Sequence, residues 1–301
     1  MREIRLNGIM PPLTTPFTAD GSLDLGALKA NVARYNETGL AGYVALGSNG
    51  EAVHLSSGER DQVIQAIAQS ATGEHTIIAG VNALSTRAAI EATREAAGSG
   101  AEAALVITPY FYKSSMTAPV LIRFYNEVAD QSPVPVLIYN VPQNTGVVIE
   151  PAAIAALAEH QNIVGVKDSS GNMAAISETI RRTPSSFAVM TGNGGILYPS
   201  LVMGARGAVL GVACTAARVC VELYEAVKAN DHARARELQN RLAPLSHAVT
   251  ARFGVAGLKA AMDMTGLAGA ATRAPLTRIS DADRDKIRTI LRETGLFANL
   301  E

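Results

Sequence analysis

The chain is expected to fold as an α/β protein: a (β/α)8 barrel of the TIM type with a helical C-terminal extension. Three observations point there. Eight short runs of β-branched and apolar residues recur between residues 8 and 212, which is the pattern of buried strands. Ala-rich amphipathic stretches of about crossover length separate them. The first run is followed by Pro11-Pro12-Leu13-Thr14-Thr15-Pro16-Phe17. An open doubly wound sheet would normally carry a dinucleotide glycine fingerprint at that place.

In chain order, the expected strands begin with Gly8–Met10, continuing towards Thr15, then Gly42–Leu46 and Thr76–Val81. Ala104–Thr108, Val134–Tyr139 and Ile163–Lys167 follow, then Phe187–Thr191 and Ala208–Val212. Start signals mark the helices between them. Asp24 precedes Leu25–Thr38, Ser57 precedes Glu59–Ala71 and Ser85 precedes Arg87–Gly98, each a side chain able to cap free N–H groups. Gly39 and Gly100 close helices, as a left-handed terminal residue requires. The barrel is assigned to residues 1–217. Residues 218–301 read as helices only, with no Gly/Ser-rich linker before them, so this extension is expected to pack on the barrel.

Composition narrows the function. With 48% hydrophobic and 18% charged residues over 301 positions, the chain can bury a large core. A net charge of -1 gives no electrostatic footprint for nucleic acid or an anionic membrane. No run approaches the length of a membrane span, and the start lacks the apolar segment of a signal peptide. Cys214 and Cys220 fit no zinc or redox spacing and read as buried free thiols. Together these features predict a cytoplasmic protein with no nucleic-acid or membrane partner. The five histidines, His54, His75, His160, His232 and His247, are not at ligand spacing, so no metal is expected. Ser48 has no histidine in a triad role.

Chemistry in this fold collects at the C-terminal ends of the strands. Lys167 ends the apolar run Asn162-Ile163-Val164-Gly165-Val166. A lysine on the last pleat of a buried strand favours a neutral amine, the form that attacks a carbonyl to make a Schiff base. Its structural alternative is a lysine that simply reaches solvent. Tyrosines end the neighbouring strands in Thr108-Pro109-Tyr110-Phe111-Tyr112 and Tyr139-Asn140-Val141-Pro142. A phenol there either relays protons or is a half-buried ring with a wet hydroxyl. Gly47-Ser48-Asn49-Gly50-Glu51 is either a nest of backbone N–H groups for a carboxylate or an ordinary turn. Gly192-Asn193-Gly194-Gly195 is either an anion cradle or room for a bulky neighbour.

These strand ends resemble the dihydrodipicolinate synthase and N-acetylneuraminate lyase family of class I aldolases. The likeness covers nearly the whole chain. It is carried by Gly-Ser-Asn-Gly-Glu at 47–51, Thr-Pro-Tyr at 108–110, Tyr-Asn-Val-Pro at 139–142, Gly-Val-Lys-Asp-Ser at 165–169 and Arg-Phe-Gly-Val-Ala-Gly-Leu-Lys at 252–259. The resemblance implies that Lys167 forms the Schiff base with a 2-oxo acid, usually pyruvate, without any other cofactor. It implies that Tyr139 shuttles the proton and that Ser48 and Asn49 hold the carboxylate. Gly47, Asn144, Gly192 and Val209 join these as candidate substrate-binding positions. It also implies a homotetramer, a dimer of dimers, in which an aromatic hydroxyl after Thr-Pro reaches a neighbouring subunit's site.

Two positions depart from the family pattern. Members that make the lysine precursor carry an arginine where this chain has Asn144, and a neutral amide cannot make the arginine's bidentate contact to a carboxylate. Phe111 stands where the relay tyrosine is usual, which leaves Tyr112, or else Tyr110, as its replacement. Within the family the resemblance is expected to be nearest to 4-hydroxy-2-oxoglutarate aldolase, and this likeness implies that Ser169 helps to bind the distal part of the substrate. The reaction then expected is reversible cleavage of 4-hydroxy-2-oxoglutarate to pyruvate and glyoxylate. The alternatives are 4-hydroxy-tetrahydrodipicolinate synthase, a sister aldolase or dehydratase of sugar-derived 2-oxo acids, and a non-catalytic 2-oxo acid binding protein.

Overall fold

The computed structural model describes residues 4–73 and 75–297. The first three residues, read above as part of a start without a leader, and the last four of the expected extension lie outside them. Eight parallel strands are present: β1 (Gly8–Met10), β2 (Gly42–Ala45), β3 (Thr76–Val81), β4 (Ala103–Ile107), β5 (Val136–Asn140), β6 (Ile163–Asp168), β7 (Ala188–Thr191) and β8 (Gly207–Val209). They pair in the order β1-β8-β7-β6-β5-β4-β3-β2. The ends of that row are stitched by Ala41 N–H to Ile9 O at 2.9 Å and Val44 N–H to Pro11 O at 3.0 Å. The sheet therefore curls into a nearly closed barrel, the expected class.

Helices follow the strands. These are α1 (Leu25–Tyr35), α2 (Ser57–Ser70), α3 (Thr86–Gly98), α4 (Ala118–Gln131), the single turn α5 (Pro142–Thr145), α6 (Pro151–Leu157), α7 (Met173–Arg182), α8 (Leu197–Val202) and α9 (Ala213–Lys228). Then come α10 (His232–His247), α11 (Gly254–Met264) and α12 (Asp281–Glu293). Asp24 and Ser85 cap α1 and α3 as expected, by accepting from Ala27 N and Ala88 N. For α2 the cap is Ser56, one residue before the expected Ser57, because Glu59 at the third helical position closes a capping box with it.

Two strands end well before the expected residue. β1 stops at Met10 because Pro11 and Pro12 have no N–H for a ladder; Pro12 makes only an isolated bridge to Val44. β8 stops at Val209, and Leu210 and Val212, though fully buried, belong to the turn into α9. The expected division at residues 217 and 218 falls inside α9, which packs back on β1.

Strands covered on both faces should be apolar throughout, and β2, β4, β5, β7 and β8 are buried at every residue. Met10, Val44, Ile78, Leu105, Leu137 and Met190 fill the barrel's interior. Leu238, Leu242 and Leu245 of α10, Leu258 of α11 and Ile287 of α12 share one buried cluster with Leu28 and Val32 of α1. The C-terminal helices are thus built into the barrel's outer core. Among the described residues no helix is long and apolar enough to cross a membrane.

Candidate active site

β5 and β6 set the site. Their register pairs Tyr139 with Lys167 and Asn140 with Asp168. Because side chains alternate along a strand, Tyr139 and Lys167 face the same way on one rung. The next rung faces away and locks the strand ends: Asn140 Nδ2 donates to Asp168 Oδ2 at 2.7 Å. Lys167 and Tyr139 are only 4% and 5% exposed, and Lys167 Nζ lies 4.1 Å from the centre of the Tyr139 ring. No carboxylate among the described residues pairs with this amine. Asp168 is already taken by Asn140 and by the Ser170 N–H at 2.8 Å.

The β2 end brings in the third group. Ser48 Oγ is 3.4 Å from Tyr139 Oη, and Asn144 Nδ2 donates to Ser48 Oγ at 3.4 Å. Gly50 N–H and Glu51 N–H close the turn on Gly47 O and Ser48 O. The Ser48 and Asn49 amides precede them at the start of the turn, where helical N–H groups have no carbonyl of their own. Asn49 turns towards β8: a Cβ on Gly211 would come within 2.7 Å of its Nδ2. Gln143 Nε2 fastens α5 to the β6 end through Ser169 O at 3.1 Å.

Gly192 and Ser169 complete one wall. A Cβ on Gly192 would fall 1.9 Å from Ser169 Oγ and 3.1 Å from Lys167 Cε. Only glycine leaves Lys167 and Ser169 their space. Val209 lies deeper, buried in the interior cluster with Tyr139 and Met190. Tyr112 stands apart within the chain: it is 71% exposed and meets Phe111 edge-on. Tyr110 is half-buried against the outer core.

Electrostatics tune the phenol. Burial by itself would raise the pKa of Tyr139, but the nearby Lys167 charge and the hydrogen bond from Ser48 hold it below its ordinary value. A phenol that gives up its proton more readily, beside an amine, is suited to moving protons.

The sequence reading missed a buried charged pair behind the turn. Lys259 Nζ donates to Glu51 Oε1 at 2.6 Å, with the two residues 1% and 2% exposed. The available signal was a lone lysine inside the apolar stretch of α11, since such a charge must find a partner. Burial lowers the pKa of Lys259, and Glu51 offsets part of that.

The sequence pattern of the dihydrodipicolinate synthetase family matches residues 5–294. The chain belongs to that family. The chain is 38% identical to a 4-hydroxy-tetrahydrodipicolinate synthase of Methanothrix thermoacetophila, over 94% of this chain and 95% of that protein. It is 35% identical to the Archaeoglobus fulgidus protein of the same name, over 97% and 99%. Among solved structures it matches the chloride-inhibited dihydrodipicolinate synthase of Acinetobacter baumannii complexed with pyruvate, at TM-score 0.92 and 33% identity. That match covers 97% of this chain and all of the other, 100%. Escherichia coli YagE, a family member also complexed with pyruvate, matches at TM-score 0.90 and 28% identity, over 96% and 99%. The chain is accordingly a carbon–carbon lyase of the pyruvate-dependent type, and enzymes of this family work through a lysine Schiff base without an added cofactor.

Proposed function

We propose that Lys167 is the Schiff-base lysine and pyruvate its keto substrate. The observation that carries this is the Tyr139–Lys167 rung, buried and met by Ser48 at 3.4 Å. In the condensing direction Lys167, once it has given up its proton, attacks C2 of pyruvate to give a carbinolamine. Tyr139 protonates the departing hydroxyl, water leaves and an iminium forms. Tyr139, now a phenolate, takes a C3 proton to give an enamine, whose C3 adds to an aldehyde carbon while the new alkoxide takes that proton. Water, or the amine of an amino aldehyde closing a ring on C2, then displaces Lys167 from the iminium. Cleavage is the same path reversed. Ser48, Asn49 and their N–H groups hold the pyruvyl carboxylate, which keeps C2 near the amine.

For the aldehyde we take aspartate semialdehyde first, making the enzyme a 4-hydroxy-tetrahydrodipicolinate synthase. The shared name of relatives at 35–38% identity over nearly full length supports it. So does Lys113: a Cβ on Gly146 would fall 2.9 Å from its Nζ, so an ammonium lies over the turn where Asn144 brings no charge. The second reading is 4-hydroxy-2-oxoglutarate aldolase, supported by Asn144 itself. The unpaired buried thiols Cys214 and Cys220 favour a reducing, cytoplasmic setting. The exposed Phe111 and Tyr112 favour the tetramer that the family resemblance implies.

Borohydride reduction in the presence of pyruvate, followed by peptide mapping, tests the core claim. A pyruvyl adduct on Lys167 is expected. A parent enzyme with no adduct there overturns it. Parallel assays with aspartate semialdehyde plus pyruvate and with 4-hydroxy-2-oxoglutarate choose between the readings. Under the first, Lys113→Met raises KM for aspartate semialdehyde.

A further inference from the structure

Backbone strain in this molecule gathers around one turn. Among the described residues, the non-glycine positions with positive φ are Leu46 at 55°, Glu51 at 53°, Asn230 at 59° and Ala270 at 61°. Leu46 and Glu51 bracket the Gly47–Gly50 segment, and Ala270 precedes Ala271, whose carbonyl accepts from Glu51's partner Lys259. Side chains with a Cβ avoid this region unless the surroundings hold them there. A run of right-handed residues ending on a left-handed one is also the backbone form that points successive N–H groups at an anion.

Leu46, Ala270 and Glu51 are each held. Leu46 O accepts from Asn82 Nδ2 at 3.1 Å. Ala270 N–H donates to Asp263 Oδ1 at 3.3 Å. Glu51 is held most firmly: its carboxylate accepts from Lys259 Nζ at 2.6 Å and from the Arg273 N–H at 2.9 Å. Lys259 spends its other two N–H groups on Thr15 O at 2.8 Å and Ala271 O at 2.6 Å, so all three ammonium donors are satisfied. Thr15 in turn holds the turn itself, through Oγ1 to Gly50 O at 2.7 Å. Phe17 lies between the two cations, 4.6 Å from Lys259 Nζ and 4.3 Å from Arg273 Cζ.

We propose that Glu51 and Lys259 are positioning residues for the 2-oxo acid: clamped by α11 and the segment after it, Glu51 fixes the Gly47–Glu51 turn in its carboxylate-binding form. This rests on the reading that the Ser48 and Asn49 amides bind the pyruvyl carboxylate. A buried ion pair with only a packing role could be exchanged for apolar groups with little consequence for a ligand. A clamp on a strained turn could not, since the turn relaxes when released and its N–H groups lose their common aim.

The test is the pyruvate dependence of borohydride trapping, with melting temperature measured alongside. In Glu51→Ala the half-saturating pyruvate concentration is expected to rise about tenfold, the loss of roughly one charged hydrogen bond. Adduct yield at saturating pyruvate should stay near the parent's, because Lys167 and Tyr139 are untouched. Glu51→Gln, which keeps an acceptor for the Arg273 N–H, should recover part of the loss. Lys259→Met should resemble Glu51→Ala. Thr15→Ala releases the turn while leaving the ion pair intact, and it decides the matter if the charge variants do not fold. Its half-saturating concentration should also rise. A parent-like pyruvate dependence in every folded variant overturns the inference. A parent that forms no adduct on Lys167 overturns instead the reading beneath it.

Discussion

Tyr139 takes its character from its neighbours. Burial resists its ionisation, and the Lys167 charge and the Ser48 hydroxyl more than cancel that resistance. Replacing Lys167 by Met removes the charge and leaves the burial, so the phenol should then ionise at higher pH than in the parent. Tyrosinate absorbance during alkaline titration reads that shift, and an unchanged or lower value would refute the coupling. Tyr139→Phe should still reach the Lys167 adduct, but more slowly, and should slow turnover by about two to four orders of magnitude, the usual worth of a lost proton shuttle. Gly192 makes a different demand, for space. In Gly192→Ala the new methyl would sit 1.9 Å from Ser169 Oγ; pyruvate trapping should fall sharply while far-UV circular dichroism stays native. Lys167, Tyr139 and the serine turn were legible in the sequence because each ends an apolar run, where a strand must stop. The clamp was not, since Glu51 and Lys259 stand 208 positions apart and their meeting depends on how the C-terminal helices dock.

At the scale of elements, α2 shows how a cap and a distant segment share one residue. Glu59 accepts the Ser56 N–H at 2.9 Å and also faces the Arg273 guanidinium at 2.7 Å. Arg273, then the Ser56 N–H, depress its pKa from 4.5 to about 2. A carboxyl depressed on folding contributes its stability above the ordinary value and loses it as pH falls through the folded one. The Glu59 contribution should therefore be complete near neutral pH and disappear between about 4.5 and about 2. Solvent screening limits it to about 1 kcal/mol. Urea unfolding of the parent and Glu59→Gln should show that gap at pH 7 and none near pH 2; a gap independent of pH would contradict the assignment. The sequence reading placed this cap on Ser57, one residue late, because two serines, Ser56 and Ser57, are adjacent there. Only Ser56 stands three residues before Glu59. The ends of β1 and β8 were misplaced for another reason. Burial continues past the last residue of each strand into Leu13, Leu210 and Val212, and hydrophobic pattern reports burial, not strand ends.

The whole molecule depends on its last strand pairing with its first, and that pairing is narrow. β1 and β8 have three residues each, paired as Gly8 with Gly207, Ile9 with Ala208 and Met10 with Val209. A Cβ on Gly207 would fall 2.1 Å from Gly8 O and 2.7 Å from Gly8 N. The neighbouring backbone thus occupies the place of a side chain, which is why glycine stands inside a strand there. Alternating strands and helices made the barrel itself legible, because eight such units leave few other ways to bury both faces. The tightness of its seam was not, since a glycine in a strand can also signal a bulge. Gly207→Ala must push β8 from β1, at a cost of about 1–3 kcal/mol. For a chain of this size that lowers Tm by on the order of 5 °C. Gly58→Ala is the control: it lies in α2 with nothing within 4 Å of its Cβ, and alanine favours a helix, so Tm should hold or rise slightly. The strained pair sits at the N-terminal end of its strands, whereas Met10 and Val209 end them on the side of the site. Gly207→Ala should therefore still trap pyruvate on Lys167 below its Tm. If trapping and Tm fell together at low temperature, strain at the closure would be reaching the chemistry, and barrel stability and site geometry would not be separable.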